Sequence, residues 1–273
     1  MTSVSNAAPD ALAGRRVVLV GASAGIGRAL AGRLIGAGAR VVVAARRTAE
    51  LEKITAEAGG GHVVGVDVRA AGDCERLAGE AREHLGGIDF LLSTVGVASL
   101  RPMAETGLDD WRWALETNTL GFHQVIRACL PLLAPHALVG ALSSEAVGQD
   151  RAALGAYATS KVALERLLQS WQSEHPELRF CRIRVGQTAP TDFGRDFDGE
   201  ALGKAFQAWA AQGLLVDRHM SPDEVAGSLT GLLSVAAAFP AITIEELTLM
   251  PSAAAGSFAE RSGGAPAPAA PSA

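Results

Sequence analysis

Residues 16–33 read RVVLVGASAGIGRALAGR, and this stretch decides the predicted fold. The apolar, β-branched run over residues 16–20 is typical of a strand, and residues 26–37 are typical of a helix. A short glycine-rich segment joins the two. The stretch therefore predicts one strand-turn-helix unit.

The joining segment carries Gly21, Gly25 and Gly27. Gly21 lets the chain turn sharply, whereas Gly25 and Gly27 let backbone amides approach a pyrophosphate and let the helix pack on the sheet. The N-terminus of the helix then faces that anion. We expect a dinucleotide site that includes Ser23 and Ile26 of the same turn, and the alternative is a plain strand-to-helix turn.

The same alternation of strand and helix recurs along the chain. Further strands are predicted over residues 40–44, 62–66, 88–92, 137–142 and 179–185 and near residues 242–249. Helices are predicted over residues 48–58, 73–85, about 109–130 and about 155–174, with a last helix capped by Ser221-Pro222-Asp223-Glu224. The strands are continuous apolar runs, as expected where helices cover both faces of a sheet. The sequence thus predicts a single α/β domain with a Rossmann-type, doubly wound parallel sheet.

The folded domain is predicted over residues 14–251. Residues 1–13 are small and polar, and residues 252–273 are rich in alanine and proline. Both segments are predicted to be disordered tails, because they offer too little apolar area to offset the entropy of ordering.

Composition narrows the range of partners. Among the 273 residues 48% are hydrophobic and the net charge is -5, which favours neither nucleic acid nor an anionic membrane as a partner. We find no membrane-spanning stretch in the sequence, and a cytoplasmic location is expected. Cys74, Cys129 and Cys181 are far apart and form no CxxC pair, so we expect buried reduced thiols rather than a zinc site or disulfides.

Tyr157 and Lys161 are the strongest candidates for chemistry. Their spacing of four places both on one face of the predicted helix. Free tyrosine has a pKa of about 10 and is a poor acid-base group at neutral pH, but a neighbouring ammonium lowers that pKa. Tyr157 is the only tyrosine in the chain. The alternative is a packed tyrosine beside an unrelated exposed lysine.

Two further polar residues accompany this pair. Ser144 closes the fifth predicted strand, and Asn118 lies inside a predicted helix. Asparagine lowers the stability of a helix interior, so a polar role for its side chain is expected. The G-x-x-x-G-x-G turn, Asn118, Ser144 and Tyr157-x-x-x-Lys161 together resemble the short-chain dehydrogenase/reductase family.

The resemblance implies the chemistry. In that family a hydride passes between a nicotinamide and a carbonyl or alcohol carbon, and we expect no metal site in this chain. Tyr157 would exchange the proton, and Ser144 would polarise the reacting oxygen. Lys161 would lower the pKa of the tyrosine and hold the nicotinamide ribose, and Asn118 would support a proton relay.

The end of the second strand indicates the cofactor. Ala45 stands where NAD-preferring members of the family carry an acid, and Arg46 and Arg47 follow. Guanidinium groups suit a phosphate, and Ser23 can add a hydroxyl. NADP(H) is therefore favoured over NAD(H). The alternative is that these arginines are simply solvated residues at the start of a helix.

Other cofactor contacts are implied by resemblance alone. Asp67 and Val68 match the adenine contact of the family, although Asp67 is equally explained as an ordinary strand-end residue. Gly96 matches the last position of the N-N-A-G motif, and Thr191 matches a residue that binds the nicotinamide carboxamide.

The chain departs from the family pattern at three places. Ser93-Thr94 replaces the usual asparagine pair, and hydroxyl groups can take over its contacts. Val185 replaces the usual proline before Gly186. Residues 242–251 lack the usual glycine pair, which puts the common tetramer contacts in doubt. By resemblance, a homodimer or homotetramer is still expected, through the helices near residues 109–130 and 155–174.

The sequence does not name a substrate. Residues 187–220 are the least patterned stretch and are rich in apolar side chains, which suits either a lid over a hydrophobic carbonyl compound or simple packing on the core. We predict an NADP(H)-dependent carbonyl reductase or alcohol dehydrogenase. The alternatives are a cofactor-binding sensor without useful turnover and a nucleotide-sugar epimerase, whose chains are usually longer.

Overall fold

The computed structural model describes residues 9–252, with one seven-stranded sheet at the centre. The strands are β1 (Arg16–Val20), β2 (Arg40–Ala45), β3 (His62–Gly65), β4 (Ile88–Ser93), β5 (Leu133–Leu142), β6 (Arg179–Val185) and β7 (Glu246–Leu249). Their order is β3-β2-β1-β4-β5-β6-β7, and every pairing is parallel. The direction of winding reverses between β1 and β4, so a crevice opens at the carboxyl ends of these strands.

Helices cover both faces of this sheet. They are α1 (Gly25–Gly36), α2 (Thr48–Ala58), α3 (Ala71–Leu85), α4 (Leu108–Leu115), α5 (Gly121–Cys129), α6 (Gly155–Glu174), α7 (Gly199–Ala211) and α8 (Pro222–Ala238). The predicted α/β fold with a Rossmann-type, doubly wound parallel sheet is confirmed.

The two apolar layers show why the strands are continuous hydrophobic runs. Val17 and Leu19 of β1 lie in the layer formed with α1 and α8. Val18 and Val20 alternate to the opposite layer, formed with α3, α5 and α6. Because each strand is covered on both faces, neither set of alternating side chains meets water.

The predicted elements need several corrections. The helix predicted over residues 109–130 consists of α4, a π-helical turn (Glu116–Leu120) and α5. Helix α7 lies inside the stretch without a predicted pattern, and β5 begins at Leu133 rather than residue 137. Tertiary packing and loop hydrogen bonds set these boundaries, and sequence periodicity does not report them.

The N-terminal boundary also changes. Pro9–Leu12 form a 3-10 turn, and the side chain of Leu12 is buried in the α1 and α8 layer. The prediction of a disordered tail over residues 1–13 is therefore wrong at this turn, because one buried leucine anchors it. The rest of the predicted N-terminal tail up to residue 8, and the predicted C-terminal tail from residue 253, lie outside the described residues.

The cysteine prediction is confirmed. Cys74, Cys129 and Cys181 are free and buried. Burial raises the thiol pKa to about 11 for Cys74 and to about 12 for the other two. Over residues 9–252, the helices are too short or too polar to cross a bilayer.

A glycine pair on α1 tests how closely this helix packs on the sheet. A Cβ atom at Gly27 would lie 2.3 Å from the carbonyl oxygen of Gly21 and 2.4 Å from Thr94 Oγ1, whereas a Cβ atom at Gly32 meets nothing within 4 Å. We expect Gly27→Ala to lower the free energy of unfolding by about 1–3 kcal/mol through overpacking. The matched Gly32→Ala variant should raise it by about 0.5–1 kcal/mol. Urea denaturation measures both, and equal effects would show that α1 does not depend on this contact.

Candidate active site

A cleft of about 760 Å³ opens at the carboxyl ends of the strands. All of the predicted site residues except Asn118 line it. They are Gly21, Ser23, Gly25, Ile26, Gly27, Arg46, Arg47, Asp67, Val68, Gly96, Ser144, Tyr157, Lys161 and Thr191. The fold thus brings together residues that lie up to 170 positions apart in the numbering. Asn118 lies behind the wall of the cleft.

The glycine turn has the properties of an anion site. Gly21 and Gly25 have φ angles of +89° and +50°, which favour glycine. The N-cap of α1, Ala24, has no side-chain hydrogen bond, and the first turn carries no acidic residue. By contrast, Ser221 and Glu224 close the N-terminus of α8 with a capping box. The first amides of α1 therefore keep their donors for a ligand, and a pyrophosphate fits this requirement.

Thr94 accounts for one departure from the family pattern. Its hydroxyl donates to the carbonyl oxygens of Gly21, at 3.0 Å, and Val20, at 3.2 Å. Its backbone amide also donates to the carbonyl oxygen of Val20, at 2.8 Å. The threonine therefore joins the end of β4 to the turn after β1, as expected if a hydroxyl replaces the usual amide.

The two arginines after β2 differ in their partners. Arg47 pairs with Asp192 at 2.8 Å, and its guanidinium also contacts the Ser23 hydroxyl. Arg46 is exposed and makes no hydrogen bond or ion pair with any residue in the range 9–252. Arg46 is therefore the guanidinium with free donors at the rim of the cleft.

Asp67 lies beside this rim. The guanidinium of Arg69 donates to its carboxylate at 2.6 Å and holds the pKa of Asp67 at about 2, with Arg46 adding to the effect. Asp67 is therefore an anion throughout the neutral range, balanced by Arg69.

Tyr157 and Lys161 project from the first turns of α6 into the cleft. The side chain of Lys161 is fully buried, and its Nζ donates to the carbonyl oxygens of Leu142, at 2.8 Å, and Val95, at 3.0 Å. An ammonium has three donors, so one remains for a ligand. A Cβ atom at Gly96 would lie 3.6 Å from this nitrogen, which places Gly96 against the lysine.

Burial shifts both groups toward their neutral forms. It raises the pKa of Tyr157 to about 12, against the opposing effect of the Ser144 hydroxyl, and it lowers the pKa of Lys161 to about 7. The shift at Tyr157 is opposite to the lowering expected from Lys161, because desolvation is its largest cause and the nearby Glu145 carboxylate raises the pKa further. The phenol is therefore a proton donor at neutral pH.

Asn118 holds the wall behind the lysine. Its Nδ2 donates to the carbonyl oxygen of Val97 and to Ser160 Oγ, both at 2.8 Å, and its Oδ1 accepts from the Val97 amide at 2.8 Å. Both donors of the amide are thus used, and one acceptor site is left on Oδ1. In this geometry Asn118 positions the segment that carries the Val95 carbonyl, while its expected part in a proton relay stays a prediction.

Several residues of this region were not predicted from the sequence. Glu165 is buried and accepts from the Ser143 hydroxyl at 2.7 Å and from Arg184 at 2.6 Å. Burial raises the pKa of Glu165, but these two hydrogen bonds lower it further, so the pKa lies below its ordinary value. Ser160, the partner of Asn118, belongs to the same helix. None of these residues stands in a recognisable motif, so only the fold reveals them.

A second buried ion pair lies beside Ser144. Glu145 and Arg151 meet at 2.6 Å, and both side chains are nearly inaccessible. Arg151 also donates to the carbonyl oxygen of Leu214 and lies over the ring of Trp209, 5.6 Å from its centroid. Burial raises the pKa of Glu145 despite the arginine. The pair ties the loop after β5 to the segment that covers the cleft.

The covering segment contacts Tyr157 directly. The ring of Phe193 meets that of Tyr157 edge-on, with centroids 4.9 Å apart, and Phe197 packs on Phe193. Trp209 of α7 is buried, and its Nε1 donates to the carbonyl oxygen of Ala152. Residues 187–220 were expected either to cover the substrate or to pack on the core. Parts of this segment pack on the core, and other parts line the cleft.

Comparison with known proteins identifies the family. The short chain dehydrogenase family model matches residues 15–201. The chain belongs to the short-chain dehydrogenase/reductase family, whose members are oxidoreductases that bind NAD or NADP.

Three relatives illustrate the likeness. The chain is 34% identical over 226 residues to glycine betaine reductase of Emericella nidulans, covering 80% of the chain but only 17% of that relative. It is 34% identical over 207 residues to the mitochondrial dehydrogenase/reductase SDR family member 2 of Homo sapiens, covering 72% of the chain and 73% of that relative. The alcohol dehydrogenase of Thermococcus sibiricus, solved with 5-hydroxy-NADP, superposes with a TM-score of 0.73 at 25% identity, covering 86% and 96% of the two chains.

The ionisation of Tyr157 is directly measurable, because it is the only tyrosine. Since burial raises its pKa to about 12, the folded protein should show almost no phenolate absorbance at about pH 10, where a free tyrosine is half ionised. A spectrophotometric titration checks this, with the urea-unfolded chain as the reference. Half-formation of phenolate near pH 10 in the folded chain would show that the phenol is not desolvated.

Proposed function

We propose that the protein is an NADP(H)-dependent oxidoreductase that transfers hydride between the nicotinamide and the carbonyl carbon of a small molecule. The observation that carries this proposal is the convergence of Ser144, Tyr157 and Lys161 in the same cleft as the glycine turn. The bound cofactor would supply or accept the hydride. The residues of the chain handle the oxygen and the proton.

In the reducing direction Tyr157 donates its phenolic proton to the carbonyl oxygen as that oxygen gains charge. Ser144 polarises the same oxygen by a hydrogen bond, since its own oxygen accepts from the Ala146 amide at 3.1 Å and its proton is directed toward the Tyr157 hydroxyl, beside which the carbonyl oxygen would lie. Lys161 holds the ribose with its remaining donor. Oxidation of an alcohol needs the phenolate instead, so its rate should rise with pH, as the raised pKa of Tyr157 requires.

The preference for NADP(H) over NAD(H) is proposed on Arg46. It is the exposed guanidinium at the end of β2 without a carboxylate partner among residues 9–252, whereas Arg47 is engaged with Asp192. A 2'-phosphate carries the charge and the acceptor oxygens that such a group binds. The solved alcohol dehydrogenase relative, which was complexed with an NADP analogue, supports the same cofactor.

The substrate is proposed to be a hydrophobic carbonyl compound or alcohol. The rings of Phe193, Phe197 and Trp209 line the cleft near Tyr157, and the nearby charges of Glu145 and Arg151 neutralise each other. An uncharged, apolar substrate suits this wall better than an ion.

Other predictions about the protein stay as such. Leu120 and Val162 are exposed apolar residues on the helices expected to form a homodimer or homotetramer face. A cytoplasmic location stays a prediction as well. The alternative of a sensor without turnover is not favoured, because the chain belongs to a family of oxidoreductases and Ser144, Tyr157 and Lys161 lie in one cleft.

Replacement of the phenol tests the reaction. Tyr157→Phe should lower turnover at least about 100-fold, because the proton donor is lost, while NADPH affinity changes little. NADPH oxidation with a panel of ketones, aldehydes and quinones measures the rate, and fluorescence titration measures binding as the control. Tight NADPH binding by the wild type without turnover of any compound would instead support the sensor.

Replacement of the free arginine tests the cofactor. Arg46→Ala should raise KM for NADPH roughly 10- to 100-fold, as expected for the loss of hydrogen bonds to a charged group, and leave KM for NADH nearly unchanged. Arg47→Ala is the matched control, since Arg47 is already paired, and it should act less selectively. Equal effects of Arg46→Ala on both cofactors would contradict the assignment.

A further inference from the structure

A cluster of histidine and glutamate side chains lies at the opposite end of the sheet from the cleft. His62 begins β3, and Glu80 and His84 are four residues apart on α3, so they share one helix face. Within residues 9–252, these three form the one group of His, Cys, Asp or Glu side chains whose ligand atoms lie close enough together to hold a metal ion. None of them lines the cleft.

The three ligand atoms lie close together. Glu80 Oε2 lies 2.8 Å from His62 Nε2 and 3.4 Å from His84 Nε2, and all three ligand atoms lie within 4.8 Å of one another. In a tetrahedral site with bonds of about 2.0–2.2 Å, neighbouring ligand atoms are roughly 3.3 Å apart. The observed spacings bracket that value, so side-chain rotations bring all three atoms to one ion.

The two histidine rings are stacked, with centroids 3.5 Å apart and planes that differ by 22°. Because a metal lies close to the plane of the imidazole that binds it, at least one ring must turn out of this stack for both Nε2 atoms to bind one ion. Each side chain is about one-third exposed, with relative accessibilities of 33% for His62, 35% for Glu80 and 39% for His84. Water therefore reaches the position that a fourth ligand would occupy.

Two arginines hold the backbone that carries the cluster. Arg40 of β2 donates to the carbonyl oxygens of His84 and Leu85 at the end of α3. Arg76 of α3 donates to the carbonyl oxygen of Gly65 at the end of β3. The helix is thus tied to both neighbouring strands, and the three ligands need no change of backbone to meet an ion.

We propose that His62, Glu80 and His84 form a surface site for a divalent transition metal ion, with Zn²⁺ as the best match and water as the fourth ligand. Two imidazole nitrogens and one carboxylate oxygen suit zinc, nickel or copper, whereas magnesium and calcium prefer an all-oxygen set. The three buried thiols, Cys74, Cys129 and Cys181, offer no competing exposed ligand.

The expected role of the ion is structural. It would clamp the amino end of β3 to the carboxyl end of α3, at the edge of the sheet where, within residues 9–252, β3 pairs with β2 alone. A metal that binds the folded chain and not the unfolded chain raises Tm. Because the site lies away from the cleft, kcat should not depend on it.

Calorimetric titration of the untagged full-length chain with ZnCl₂ tests the proposal. We expect one ion per chain, and a Tm increase of roughly 5–10 °C at a zinc concentration of about 100 times the dissociation constant. MgCl₂ at the same concentration should leave Tm unchanged. Glu80→Gln and His84→Gln should each weaken zinc binding at least about tenfold, since each removes one of three ligands.

The chain also offers a matched control. His175 and Glu177 form an exposed histidine-glutamate pair at 3.2 Å that no second histidine completes. Glu177→Gln should therefore leave zinc affinity unchanged. The proposal is overturned if Glu80→Gln binds zinc as the wild type does, or if Glu177→Gln weakens binding equally. It is also overturned if the wild type binds no zinc, which would show that Glu80 only accepts hydrogen bonds from the two rings.

Discussion

The close approach of α1 to the ends of β1 and β4 is the constraint on which the rest of the structure depends. The carbonyl oxygen of Gly21 and the hydroxyl of Thr94 occupy the space where a side chain of Gly27 would begin. This contact sets the direction of α1, and with it the direction of the uncapped amides at its N-terminus. It also joins the two strands between which the winding of the sheet reverses, where the cleft opens.

Burial then decides the chemistry of the residues that line the cleft. Tyr157 and Lys161 are desolvated together, and the two shifts have opposite signs because one group is neutral and the other charged when protonated. The lysine nevertheless keeps two carbonyl partners, which orient it without neutralising it. The segment that carries Phe193 and Trp209 keeps the phenol away from water, and the buried pair of Glu145 and Arg151 anchors that segment.

The two ends of the parallel sheet carry different proposed sites. Parallel strands place all their carboxyl ends at one edge, which concentrates the glycine turn and the polar residues of the proposed active site there. The amino ends of the strands do not contribute to the cleft. His62 lies at the amino end of β3, and Glu80 and His84 face it from α3, so the proposed zinc site is separated from the cleft by the length of a strand. A metal there is expected to act on the stability of the β3 edge rather than on hydride transfer.

The sequence by itself determined the fold class and most of the cleft. Continuous apolar runs identify strands that are buried on both faces, because such patterns are local and act over a few residues. The glycine turn, Tyr157 and Lys161 indicate a dinucleotide-binding oxidoreductase through their resemblance to a known family. Only the tertiary structure showed that Arg46 is free while Arg47 is paired, that Asn118 clamps Val97, and that desolvation raises the pKa of Tyr157. It alone revealed the pairing of Glu145 with Arg151 and the convergence of His62 with Glu80 and His84. These properties depend on distances between residues far apart in the chain and on exclusion of water, and no local sequence pattern encodes either.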